Sequence, residues 1–168
     1  MEELIIRTAT YADWQKVAEI EAICFPAAEA ASPEAIQERL AVYPDGCLIA
    51  ELKQKIIGFI NGGATNDHLV EDAFYASMDL HNKDGENMVV FGLDVLPNHQ
   101  HKGVARQLMN AYITFGRKEN KSAILLTCKA HLCDYYASFG YDNLGKAEST
   151  HGGAEWYEMR LALTDAQT

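Results

Sequence analysis

The sequence predicts an α/β domain built on a mixed sheet, and three observations carry that prediction. Two strand-like apolar runs, "MVVFGLDVL" and "SAILLT", flank a segment in which Val104, Leu108, Ala111, Tyr112 and Phe115 fall on one helical face. A strand, helix, strand unit of this kind makes its strands parallel neighbours with a right-handed crossover. Upstream, "CLIAEL" and "IIGFINGGAT" flank "KQK" and predict an antiparallel hairpin. With 168 residues, 48% of them hydrophobic, the chain can bury one substantial core, so a single domain over 1–168 is expected.

At the amino-terminal end, "LIIRTAT" reads as a first strand, and Thr10 or Asp13 caps a helix in which Trp14, Val17, Ile20, Ala22 and Cys24 recur at roughly helical spacing. Phe25-Pro26 ends it. Ser32-Pro33-Glu34 marks a second helix start, with Ser32 as N-cap, Pro33 at the first helical position and "EAIQERLAVY" as the body. After the hairpin, residues 66–87 are acidic and aromatic, with an interrupted period in "LVEDAFYASM" that predicts a short helix and a loop. "HLCDYYASFG" is a short helix ended by Gly140, "EWYEMRLAL" is a final alternating strand, and "TDAQT" is a loose tail.

Composition narrows the function. There are 14 Lys and Arg against 24 Asp and Glu, a net charge of −10, and this argues against a nucleic-acid surface, which needs clustered cations. A cationic substrate suits such a field better. No apolar run reaches the roughly 20 residues that cross a bilayer, and "MEELIIRTAT" lacks the basic start of a secretory signal. A cytoplasmic protein away from the membrane is therefore expected, with Cys24, Cys47, Cys128 and Cys133 as reduced thiols. Cys128, His131 and Cys133 lie close together in "CKAHLC", but no second ligand pair follows at a finger-like spacing, so no metal is expected.

"QHKGVA" joins the strand "MVVFGLDVL" to the helix that starts near Val104. The first N–H groups of a helix have no intrahelical partner and carry partial positive charge, and a glycine there lets an anion approach. Gly103 fills that place, with Lys102 and Arg106 beside it. A P-loop would need Ser or Thr after Gly-Lys, and a dinucleotide fingerprint would need three glycines; neither is present.

The wider stretch "LDVLPNHQHKGVARQLM" resembles the signature of the GCN5-related N-acetyltransferase family, Gln/Arg-x-x-Gly-x-Gly/Ala after a strand and a proline, with Gln100, Gly103 and Ala105 in its key places. "DYYASFGY" resembles the family's Tyr-x-x-x-Gly-Phe block, with Tyr136, Gly140 and Tyr141. The resemblance covers almost the whole chain. It implies a mixed, mostly antiparallel central sheet of about six to seven strands, helices on both faces and a parallel pair at strands four and five. It also implies acetyl-CoA as co-substrate. The pyrophosphate would lie on the backbone of His101, Lys102, Gly103, Val104, Ala105 and Arg106 beside Gln100, and the pantetheine arm along Leu93, Asp94 and Val95. Within the family, "CFPAAEAAS" and "STHGGAEWYEMRL" are most similar to the arylalkylamine branch and its bacterial relatives, whose histidine pair is replaced here by Val89 and Phe91.

The implied activity is acetyl transfer to a primary amine, aralkylamine-like or polyamine-like, by direct attack in a ternary complex. A non-catalytic acyl-CoA-binding module is the alternative, as is a protein amino terminus or lysine as acceptor. The Val95 N–H is the candidate for polarising the thioester oxygen, and Tyr136 for the general acid. The base is open among His151, His68, Glu71 and Asp72; Asp94 is disfavoured because strict alternation puts it on the opposite face from Val89 and Phe91. Phe25, Glu29, Phe74, Tyr75 and His151 are the candidate acceptor-binding residues, with Glu71 and Asp72 adding negative charge. The sequence leaves a homodimer open.

Overall fold

The computed structural model describes residues 3–149 and 151–163. The elements are β1 (Leu4–Thr8), α1 (Trp14–Cys24), α2 (Pro33–Val42), β2 (Cys47–Leu52), β3 (Lys55–Thr65), α3 (Asp72–Ala76), β4 (Asn87–Val95), α4 (Val104–Lys118), β5 (Ala123–Cys128), α5 (Cys133–Ala137), β6 (Asp142–Lys146) and β7 (Tyr157–Ala162). The strands form one seven-stranded sheet in the order β1-β2-β3-β4-β5-β7-β6. Every neighbouring pair is antiparallel except β4 and β5, the parallel pair expected from the strand, helix, strand unit.

Local chemistry sets the ends. The Thr10 N–H donates to Asp13 Oδ2 at 2.8 Å, and Arg7 reaches both Asp13 (2.9 Å) and Glu51 (2.7 Å), so the start of α1 is tied to β1 and β2. Ser32 Oγ accepts from the Ala35 N–H at 3.1 Å with Pro33 at the first turn of α2, as the sequence predicts. The β2–β3 hairpin turns through Lys53 (φ 52°) and Gln54 (φ 66°), a two-residue turn of primed type made without glycine. β6 was not evident from alternation: "DNLGK" is a short, mostly exposed edge strand with Gly145 at φ 105°. The "TDAQT" tail lies outside the described residues.

The sheet is covered on both faces. On one, α4 buries Val104, Leu108, Met109 and Tyr112 against Ile60, Met88, Ile124 and Leu161. On the other, Val17 and Ile20 of α1 with Ile36 and Leu40 of α2 pack on Ile49 and Phe59.

Two irregularities set the shape of the sheet around β4. The β3–β4 register passes from Asn61 opposite Gly92 to Gly62 opposite Val90, so Phe91 is an extra residue, a β-bulge. The β4–β5 ladder holds only at Asn87–Ala123, Met88–Ile124 and Val89–Leu125, whereas β4 runs on to Val95 and β5 to Cys128. A bulge bends its strand and increases its twist, so β4 parts from β5 where the bulge begins. Gly62 fixes the approach of β3 at this point, because a Cβ there would lie on the Val89 carbonyl and the Tyr112 hydroxyl, which itself donates to Val89 O at 3.0 Å. Gly62→Ala is expected to cost about 3 kcal/mol through this overpacking, read as a lowered urea midpoint with an unchanged slope.

Candidate active site

The parting of β4 and β5 opens a cleft of about 400 Å³. One wall is β4 from Val90 to Val95 with Gln100; the other is Leu126, Thr127 and Cys128 of β5 with Tyr136 of α5. Glu21 and Cys24 of α1, Phe25, Pro26 and Glu29 from the loop after it, Tyr75 of α3, Lys129, His131 and Leu132 after β5, and Ser149, His151 and Trp156 complete the lining.

The backbone edge of β4 faces this space. The Leu96 N–H donates to Ile57 O on the β3 side at 2.9 Å, and alternation along a strand turns the Val95 and Leu93 N–H groups to the opposite edge, where β5 has departed. Val95 O points the same way and accepts from Cys24 Sγ (3.3 Å) and Gln100 Nε2 (2.9 Å). The Val95 side chain itself is buried in the core.

Gly103 is the N-cap of α4, at φ 86° and preceded by His101 at φ 63°. A Cβ built on Gly103 meets nothing within 4 Å, so the space in front of the helix start is open. Unpaired N–H groups at such a turn make an anion site. The side chains around it divide. His101 and Lys102 are exposed beside the loop, Val104 is buried and Ala105 packs against the same core. Gln100 spends its amide as a staple between loop and strand, and Arg106 donates to Ser138 Oγ at 3.0 Å and lies 4.4 Å over the Phe139 ring, bracing α5.

Tyr136 is 9% exposed, with its ring edge-on to Tyr135 and Tyr141, and it lines the cleft. Burial, then the neighbouring Cys128, pushes its phenol above the ordinary tyrosine value, so it stays protonated across the neutral range. His151 Nε2 lies 3.1 Å from the Glu29 carbonyl, which can only accept; Nε2 therefore carries the hydrogen and Nδ1 is the acceptor. Its ring stacks on Tyr75 at 6.2 Å, and its carbonyl accepts from Trp156 Nε1 at 2.9 Å.

Other sequence candidates sit elsewhere or are already engaged. Phe74 is 2% exposed, packed on Val89, Leu125 and Phe91 outside the cleft lining, because the short α3 turns only Tyr75 toward it. His68, Glu71 and Asp72 line a separate, open hollow with Leu144, Lys146 and Glu158. Glu29 Oε2 is paired to Lys129 Nζ at 2.8 Å. Cys128 and Cys133 approach to 3.9 Å, and among the described residues no group of three His, Cys, Asp or Glu is placed to hold a metal.

Asp94 is the main correction. The bulge at Phe91 adds one residue to the alternation, so Asp94 and Phe91 end on the same face, toward α1 and α2. There Arg39 of α2 lies 4.5 Å over the Phe91 ring and donates to Tyr75 O at 2.9 Å, and Glu21 of α1 faces Asp94. Glu21, Arg39 and Asp94 are 5%, 5% and 1% exposed. Sequence reasoning missed Glu21 and Arg39, although a charged residue on the apolar stripe Val17, Ile20, Cys24 and another between Ile36 and Leu40 were the available signals. Gly92, isolated in an apolar strand, was the signal for the bulge.

Burial, then the facing carboxyl of Glu21, holds the Asp94 carboxyl well above the usual carboxylate range, with Arg39 opposing. The folded protein therefore keeps a proton that the unfolded chain releases near pH 4. Stability is lost as pH rises through the window above that value, by up to about 1.4 kcal/mol per pH unit, until Asp94 ionises in the native state. Asp94→Asn removes this dependence. The variant is expected to gain on wild type in thermal unfolding as pH rises from 4 to 7.

A profile of the acetyltransferase (GNAT) family matches residues 14–141, and the chain belongs to that family. Its fold matches the loading GNATL domain of CurA from Lyngbya majuscula (TM-score 0.84, 13% identity, 96% of this chain and 98% of that one). It also matches the GphF GNAT-like decarboxylase solved with isobutyryl-CoA (TM-score 0.82, 16% identity, 95% and 100%). A third match is diaminobutyrate acetyltransferase EctA from Paenibacillus lautus, solved with L-2,4-diaminobutyric acid and coenzyme A (TM-score 0.69, 15% identity, 98% of each). Among curated sequences, the probable hydrolase YhcX of Bacillus subtilis is 26% identical over 136 residues, 74% of this chain. The chain spans about a quarter of that relative's length.

Proposed function

We propose that residues 1–168 act as one acetyl-CoA-dependent N-acetyltransferase domain whose acceptor is a primary amine with an apolar or aromatic body, aralkylamine-like or polyamine-like. One observation carries the reading: an unpaired β4 edge lines one cleft with Tyr136 and a set of acidic and aromatic side chains, and Gln100, three residues before the open helix N-terminus at Gly103, lines it too. The co-substrate supplies an acetyl group already activated as a thioester.

The residues present fit it. The N–H groups at His101 to Arg106 would hold the pyrophosphate, Gly103 leaving room for its oxygens. The unpaired edge at Leu93 and Val95 would pair with the amides of the pantetheine arm, as a neighbouring strand does, whereas the Asp94 backbone between them faces β3. The Val95 N–H would donate to the thioester oxygen as negative charge grows there. Tyr136, kept as a neutral phenol, would donate to the departing sulfur. Phe25, Tyr75, Phe91 and Trp156 give an apolar wall for the body of the amine, and the carboxyl groups of Glu21 and Asp94 lie at the same cleft. His151 Nδ1 and the Glu21–Asp94 pair are the candidates for the proton acceptor.

A thiol-release assay with acetyl-CoA and a panel of aralkylamines, polyamines and peptides tests the reading, and amine-dependent CoA release is the expected result. Binding of CoA with no release toward any acceptor would instead indicate a non-catalytic module. Tyr136→Phe is expected to lower kcat about 100-fold or more with the KM for acetyl-CoA nearly unchanged. Because the phenol is pushed up, wild-type kcat should show no fall assignable to Tyr136 below pH 9. Gly103→Glu, placing bulk and negative charge in the cradle, should abolish CoA binding in calorimetry while the protein stays folded.

A further inference from the structure

Beneath the cleft, around Gly92, lie several buried polar atoms with no protein partner among the described residues. Both carboxylate oxygens of Asp94, Glu21 Oε1, and both amide atoms of Asn61 are in this state. Glu21 Oε2 accepts from the Ala31 N–H at 2.9 Å, so that oxygen is used in holding the loop after α1. A Cβ built on Gly92 would lie 3.0 Å from Asp94 Oδ1, 3.4 Å from Glu21 Oε1 and 3.6 Å from Asn61 Oδ1. Gly92, Glu21 and Asp94 all line the cleft. The bare backbone of Gly92 is thus a window between the cleft and two carboxyl groups.

Charge balance dictates the state of that pair. The cation within this buried set is Arg39, which already donates to Tyr75 O and covers Phe91. Two carboxylates against one guanidinium leave an uncompensated buried negative charge, and burying such a charge costs several kcal/mol. One proton shared between Asp94 and Glu21 removes it and supplies the hydrogen that their facing oxygens need. The other groups coupled to Asp94 are Cys24 from α1, Cys47 from β2 and Tyr136 from α5, and burial raises all three above their ordinary values, so they bring no charge. Lys129, which also lines the cleft, is paired with Glu29 at 2.8 Å, so among the described residues the shared proton takes the place of a second cation.

We propose that Glu21 and Asp94 form the acceptor-nitrogen subsite of the cleft: an incoming ammonium at Gly92 replaces the shared proton as the second cation, and the pair then takes one proton back from that nitrogen. This rests on the amine N-acetyltransferase reading above. In the first step R–NH3⁺ enters and one H⁺ leaves for solvent, so the buried set stays neutral with both carboxylates ionised. In the second, one N–H bond breaks, its proton goes to the carboxylate pair, and its electron pair remains on nitrogen as the nucleophilic lone pair. That proton leaves for solvent with the next amine bound. The arrangement selects a ligand that is cationic in solution, in accord with the chain's acidic balance, and converts it to the neutral form that acetyl transfer needs.

Calorimetry on the CoA-saturated protein tests this without turnover, using 2-phenylethylamine and 1,4-diaminobutane as probes at pH 7.5 in phosphate and in Tris. Wild type is expected to release about one proton per amine bound, read from the buffer dependence of the heat. Asp94→Asn and Glu21→Gln should each bind at least tenfold more weakly and release none, while staying folded. Gly92→Ala should raise the amine KM at least tenfold and leave that for acetyl-CoA within about threefold. In the same variants kcat/KM for the amine should fall 100-fold or more, and the acidic limb of its pH profile should disappear with Asp94→Asn. A purely structural pair predicts a folded Asp94→Asn protein with wild-type turnover. That result, or amine binding and acetylation without proton release, overturns the subsite and leaves the acetyltransferase reading standing. Neither amine bound nor any amine acetylated by a protein that binds CoA overturns both.

Discussion

The short ladder between β4 and β5 is the constraint on which the rest of the molecule depends. Parallel strands normally pair along their length, and these two pair over three residues before the bulge at Phe91 turns β4 away. The unpaired edge that results would be a liability on an open surface, since bare N–H and C=O groups recruit other strands. Here it lines a cleft together with the loop after α1, Tyr75 of α3 and Tyr136 of α5, which flank it. Gln100 and Cys24 fix the end of that edge by occupying the Val95 carbonyl, which leaves the Val95 N–H, like that of Leu93, turned to the open edge.

The same bulge decides the electrostatics. Without the extra residue Asp94 would point toward α4 and into an apolar core; with it, Asp94 joins Glu21 and Arg39 on the face covered by α1 and α2. A buried cluster of two carboxyls and one guanidinium is costly to assemble, and its retention under a cleft is hard to explain as a stabilising device. Its placement below Gly92 puts a pair of carboxyl groups at a defined point in the cleft. Loop contacts elsewhere, such as Lys129 with Glu29, His151 with the Glu29 carbonyl and the His151 ring on Tyr75, hold the rim against the end of β5 and α3.

Much of the scaffold was legible in the sequence because apolar runs and turn chemistry report local structure directly. The strand, helix, strand unit, the Ser32-Pro33 helix start and the anion-suited turn at Gly103 are all set by residues adjacent in the chain. The two family-like motifs at Gln100–Ala105 and Tyr136–Tyr141 pointed to the same fold. What the sequence hid depends on register and on contacts distant in the chain. Alternation counted through "VVFGLDV" put Asp94 on the wrong face because the bulge is a property of two strands together, signalled only by Gly92. Glu21 and Arg39 look like solvated helix positions until α1 and α2 are docked. His68, Glu71 and Asp72 belong to a neighbouring hollow, and Phe74 is committed to packing, because the path of the 66–87 segment is set by tertiary contacts and not by its composition. β6 was obscured by its exposure, which leaves no apolar alternation to read.

The most direct test of acetyl-CoA seated along β4 is a backbone amide map of the protein titrated with that ligand. The amides of Leu93, Val95 and residues 103–106 are expected to shift and gain protection from hydrogen exchange, whereas those of residues 67–72 beside the second hollow are not. Shifts confined to the second hollow, or binding that leaves Val95 and Gly103 unchanged, would contradict this placement of the co-substrate.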